Sequence, residues 1–284
     1  MKLKKFSSVI LSLIAAGTLF SGCSSTSKDV PKSQTAIITK LNEDEKTFNE
    51  HSVSLEENVK IPTMNLLHNY RFYPSLQKMI EDLNSKTVDE LCTYRSVANY
   101  ISVKNPNMEI LPHSIGLTDS FCLAVRKEDT ALRDEINSAI KQMTDDGTID
   151  YIMKSYIIYL NPNDKAPVVE IPQIEGADTI KVGVTGDFPP FDLISEDGTP
   201  AGFSTKLLAE ISRITNKNIE IVKVTADGRV AALKSKKIDV VFWATIPSES
   251  LKQAGFVPQK VDVPEELEIT LPYFEDEIVH IGLK

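Results

Sequence analysis

The side chains best suited to catalysis or metal binding are His51, His68, His113 and His280, the carboxylate of Glu249, and the cysteines Cys23, Cys92 and Cys122. The histidines are scattered through the chain. None sits in a motif with a nucleophile, and neither a CxxC nor a clustered His/Cys spacing of the zinc-binding kind occurs. An enzyme needs a nucleophile or a general acid/base placed in a cleft, so the pattern predicts no enzyme, no metal and no cofactor. Binding chemistry is better represented. Thr185, Asp187 and Phe188 lie in one turn before Pro189-Pro190-Phe191, and their hydroxyl and carboxylate can hydrogen-bond a polar ligand. Trp243 and Thr245 stand at the carboxyl end of an apolar run, where open α/β sheets bind ligands.

These residues need elements to hold them. The 284 residues are 42% hydrophobic and 25% charged, the composition of a folded α/β or α+β protein. The net charge is −9, and Lys2, Lys4 and Lys5 conceal a body carrying −12. So acidic a body, lacking any basic stripe with interleaved aromatics, excludes nucleic acid as a partner. Ile180–Val184, Ile219–Val224 and Ile238–Trp243 read as strands, with helices at Gly202–Thr215 and Arg229–Lys234 between them. This alternation predicts a parallel, helix-flanked sheet. Upstream, Pro74–Leu83 reads as a helix, Val88–Tyr94 as a strand, Val97–Val103 as a helix and Ser120–Arg126 as a strand. Helices at Thr130–Thr144 and Thr148–Tyr159 follow, divided by Asp146-Gly147. The polar stretch from Asn42 to Lys60 shows no assignable pattern.

Met1–Lys5 is basic and Phe6–Phe20 apolar, which is the pattern of a secretory signal too short to span a bilayer. Leu19-Phe-Ser-Gly-Cys23 resembles a bacterial lipobox, which implies acylation of Cys23 and attachment to the outer face of the cell membrane. Cys92 and Cys122 fall in apolar runs, where they pair as a disulfide or serve as small hydrophobes.

Ile180-Lys-Val-Gly-Val-Thr-Gly-Asp-Phe-Pro-Pro-Phe191, Asp197-Gly198, Gly202-Phe203 and Ala232–Asp239 resemble the opening lobe of family 3 extracellular solute-binding proteins, the amino-acid and polar-solute receptors of ABC importers. Leu83–Asp89, Val97–Tyr100, Ala124–Asp129 and Asp146–Asp150 resemble the second lobe and closing helices of the same family. The resemblance implies an α/β, two-lobed fold of the periplasmic-binding-protein type II kind, circularly permuted because the second-lobe pieces come first. The expected organisation is a lipoprotein signal peptide at 1–22, a flexible tether at 23–35 and a second-lobe-like domain at 36–120. A crossover strand and closing helices at 121–160, a linker at 161–177 and a first-lobe-like domain at 178–284 complete it.

The resemblance further implies ligand contacts from Phe188, Thr185, Asp187, Trp243, Thr245, Tyr94 and Arg95. The family's carboxylate-gripping arginine corresponds to Ser250 and its ammonium-binding aspartate to Tyr94, leaving Arg95 or Arg229 to replace the missing cation. The implied partners are a small-molecule ligand, the membrane through lipidated Cys23, and an ABC permease. The competing expectation is a degenerate receptor-like lipoprotein that binds a partner protein or serves a structural role, without a transport ligand.

Overall fold

The computed structural model describes residues 32–42, 44–50, 67–113, 117–163, 167–195, 197–248 and 263–284. The signal segment, Cys23, His51, Glu249 and Ser250 lie outside these residues.

Two sheets share one strand. In lobe A, β1 (Lys32–Ile38) is central, with β2 (Leu67–Tyr73) and β3 (Glu90–Tyr94) parallel to it on either side. In lobe B, β6 (Thr179–Val184) lies between β10 (Asn218–Lys223) and β11 (Val240–Pro247), all parallel. β5 (Thr118–Arg126) runs antiparallel to β11, and β12 (Leu267–Ile269) to β5. The joining strand is β13 (Phe274–Leu283). Its first half, through Glu277, pairs with β5, and from Ile278 it pairs with β3 and β4 (Met108–Ile110). The chain therefore passes between the lobes twice, entering lobe B at β5 and leaving along β13.

Helical periodicity meets packing as expected at most elements. α2 (Leu76–Asn84) is capped by Ser75 and buries Leu76, Met79 and Leu83. α3 (Arg95–Lys104) buries Val97, Ala98 and Ile101. α4 (Thr130–Asp145) turns Ile136, Ala139, Ile140 and Met143 inward and packs against α6 (Gly202–Thr215). Gly147, at φ 80°, ends the turn that separates α4 from α5 (Thr148–Met153). The helix expected to run to Tyr159 widens after Met153 into a π-helical turn, Lys154–Ile158. α7 (Arg229–Lys234) covers lobe B, and α1 occupies residues 45–50 of the stretch that shows no pattern in sequence.

One expectation is corrected at the start of the chain. The tether was to reach residue 35, yet β1 begins at Lys32, and Ser33 and Thr35 are buried. Hydrogen bonding on both edges outweighs the polar character of this segment. Cys92 and Cys122 are both buried and outside any disulfide, the small-hydrophobe alternative.

Candidate binding cleft

The cleft lies where the carboxyl ends of the parallel strands of the two lobes meet. A cavity of about 460 Å³ opens there, lined by Pro74 and Ser75 of lobe A and by Thr185, Asp187, Lys223 and Thr225 of lobe B. Its size suits a small metabolite. Asp187 crosses the gap, its Oδ2 accepting the backbone N–H of Leu76 at 3.1 Å, at the N-terminus of α2. The positive end of the helix dipole favours a carboxylate in this position. Burial pushes the Asp187 carboxyl upward in pKa, opposed by hydrogen bonds from Thr185 and Leu76 and by the charge of Lys223. Two further bonds join the lobes: Arg229 Nη2 donates to the Thr39 carbonyl at 2.7 Å, and Ala226 N–H to the Pro74 carbonyl at 3.3 Å.

The turn carrying Thr185 and Asp187 is shaped by Gly186, at φ 72°, where a Cβ would meet Ile194 at 2.8 Å. It is fastened from beneath by Asp192, whose Oδ2 accepts Thr185 N–H at 2.6 Å and Thr185 Oγ1 at 3.0 Å. Asp192 is fully buried, and burial lifts its pKa to about 6 despite those hydrogen bonds. An acid whose folded pKa exceeds its unfolded value of 3.8 stabilises the fold most below pH 3.8, and that contribution is lost as pH rises through about 6. The stability advantage of wild type over Asp192→Asn should therefore shrink by about 3 kcal/mol between pH 3.5 and pH 7. Urea unfolding of both proteins across this range measures it, and a constant difference would remove Asp192 as a titrating group.

An aromatic column continues from the Asp187 turn, outside the cavity lining. Phe188 stacks on Trp243 with centroids 5.1 Å apart, and Tyr94 reaches Phe188 edge-on at 6.2 Å across the lobes. Phe121 and Phe191 extend the cluster, stacked at 4.8 Å. The Arg229 guanidinium lies 3.9 Å from the Trp243 ring centroid. Trp243 Nε1 is buried with no acceptor among the described residues.

The seven residues expected to touch ligand thus separate into four settings. Thr185 and Asp187 line the open cavity. Phe188, Trp243 and Tyr94 pack on one another beside it, and Thr245 is buried in β11 opposite Phe121. Arg95 does not line the cavity: its Nε meets Glu277 Oε2 at 2.5 Å on the joining strand. Its neighbours turn to the same region, since Tyr94 Oη donates to Asp119 Oδ2 at 2.8 Å and Ser96 N–H to Asp276 Oδ2 at 2.9 Å. Residues 94–96 therefore fasten the strands that cross between lobes. Lys223, Asp192 and the α2 N-terminus join the site without standing among the residues expected from sequence. Asp192 was detectable as a carboxylate placed just beyond the Pro-Pro turn.

The histidine expectation is also corrected. Three of the four, His68, His113 and His280, converge with Glu90 in lobe A. They are distant in sequence: strand pairing brings His68, Glu90 and His280 together, and the segment after β4 carries His113 to them.

The model of the bacterial extracellular solute-binding proteins, family 3, matches residues 25–158 and 180–267. The chain belongs to this family. Family 3 proteins are extracytoplasmic solute receptors rather than enzymes. A probable histidine-binding protein of Campylobacter jejuni is 29% identical over 106 residues, covering 37% of this chain and 36% of that protein. The L-cystine-binding protein TcyJ of Escherichia coli is 33% identical over 79 residues, 28% of this chain and 30% of that protein. The chain thus matches about a third of the length of these curated family members. The GluR0 ligand-binding core, solved with L-glutamate, aligns at 9% identity and TM-score 0.40, covering 90% of this chain and 86% of that one.

Proposed function

We propose that this family member captures an amino acid or a related small zwitterion between its lobes and delivers it to an ABC importer, held to the outer face of the cell membrane by lipid on Cys23. The observation that carries the reading is the cavity itself. It combines a carboxylate, Asp187, with an ammonium, Lys223, and a helix N-terminus from the opposite lobe. A zwitterion presents one charge of each sign, and a site with both satisfies it without leaving a buried charge unpaired. The named ligands of the similar proteins, histidine and cystine, are of this class. The carboxyl-terminal position of the opening-lobe motifs supports a circularly permuted chain, with 161–177 joining the former ends.

Ligand contacts to both lobes would add to the bonds that already join them, favouring the closed state by their differential energy. Thermal shift followed by titration calorimetry against the proteinogenic amino acids and cystine tests the proposal. At least one compound is expected to bind one-to-one with Kd in the micromolar range or below. Absence of any binder would reject amino-acid capture and favour the degenerate, partner-binding reading.

A further inference from the structure

We propose that His68, Glu90, His113 and His280 form a closed, four-ligand site for one transition-metal dication, best matched to Zn²⁺, that ties the strands of lobe A together. The four residues each offer one donor atom, and these atoms all lie within 4.8 Å of one another. Glu90 Oε2 is 3.0 Å from His113 Nε2, 3.4 Å from His68 Nε2 and 4.0 Å from His280 Nδ1. Tetrahedral zinc with bonds of ~2.0–2.1 Å has donors about 3.3 Å apart, so small side-chain movements close the shell. Three imidazoles and a carboxylate form a ligand set of borderline softness, suited to zinc and unlike the all-oxygen sites of Ca²⁺ or Mg²⁺.

A second observation points to a missing ligand. The His280 imidazole is only 8% exposed, and neither ring nitrogen has a hydrogen-bond partner among the described residues. Burying such a group unsatisfied is unfavourable, and a metal bond would satisfy it. Around it, Ser33 pairs in register with His68 on β1, and its buried Oγ also has no partner among the described residues. A hydroxyl of this kind is suited to orienting a metal-bound imidazole or carboxylate from outside the ligand shell.

The position argues for a structural rather than a solute-binding role. Four protein ligands leave no open coordination position, the pattern of structural zinc. The donors come from the beginnings of β2 and β3, from the segment after β4 and from β13, whereas the cleft lies at the far ends of β2 and β3. His68 and Tyr73 bracket most of β2, a span of roughly 16 Å at strand rise. The metal would anchor β13 three residues beyond Glu277, where the strand's pairing leaves lobe B, and so stiffen lobe A without entering the cavity.

Untagged protein stripped by a chelator and titrated with Zn²⁺ tests this. One Zn²⁺ per chain is expected, with Kd below micromolar, and a rise in Tm of about 5 °C or more at saturation. Ca²⁺ and Mg²⁺ should produce neither effect, and Co²⁺ should give the visible absorption of a tetrahedral centre. His113→Gln and Glu90→Gln should each weaken Zn²⁺ binding at least 100-fold. His113 lies outside the strands, so the metal-free His113→Gln protein should match metal-free wild type in urea midpoint and serves as the folded control. Failure of wild type to bind Zn²⁺, or equal binding by wild type and both variants, would overturn the site.

Discussion

Arg229→Met should lower unfolding stability by about 3–4 kcal/mol, among the largest losses expected of any single substitution in this chain. Arg229 is 1% exposed, and its donors reach three carbonyls: Ala226 at 2.9 Å, Trp243 at 3.1 Å and Thr39 at 2.7 Å. Methionine fills similar space but donates nothing, leaving buried carbonyls each costing ~1–3 kcal/mol unsatisfied before relaxation. It also removes the cation–π contact with Trp243, worth up to ~2 kcal/mol when desolvated. Release of the guanidinium's own burial cost offsets part of this, hence the intermediate figure. Arg229→Lys keeps the charge but not the planar fork, so it should recover less than half of the loss. The midpoints and slopes of urea unfolding for the three proteins decide the matter. An Arg229→Met protein as stable as wild type would mean that the cation is retained for ligand and not for the fold.

Much of this architecture is legible in sequence because local pattern and packing agree. Gly202–Thr215 and Arg229–Lys234 appear as helices at the expected limits, since their apolar positions meet a sheet that the same segment supplies. β1 is harder to see. Its Thr35-Ala-Ile-Ile38 run is short and adjoins a Ser/Lys-rich stretch, and only its central place between β2 and β3 makes it a strand. The histidine cluster is invisible to spacing because His280 reaches lobe A through the second crossing, where it pairs with Cys92. For Tyr94 and Arg95, the positions at a strand end and a helix start are readable, but side-chain direction is not. Acidic residues on the crossing strands, Asp119 and Glu277, draw both toward the hinge.

The same limit makes Asp187 the most informative residue of the cleft. Asp187→Asn should reduce affinity for the captured amino acid at least 100-fold, since an ammonium buried against a neutral amide loses its counter-charge, a change costing ~2–5 kcal/mol at closed sites. The unliganded fold should be little affected. The amide oxygen can still accept from Leu76 N–H, and only the part of that contact owed to charge at the helix N-terminus, ~0.3–1 kcal/mol, is lost. Asp187→Ala removes the acceptor as well and should loosen the lobes in addition. Calorimetry with the best ligand of the amino-acid panel, beside thermal melts without ligand, separates the two contributions. The opposite outcome has a definite meaning. Asp187 now occupies the α2 N-terminus, so if it competes with the ligand's carboxylate there, Asp187→Ala will bind more tightly than wild type. The ligand would then lie reversed, its carboxylate on α2, and the assignment of Asp187 to the ammonium would be wrong.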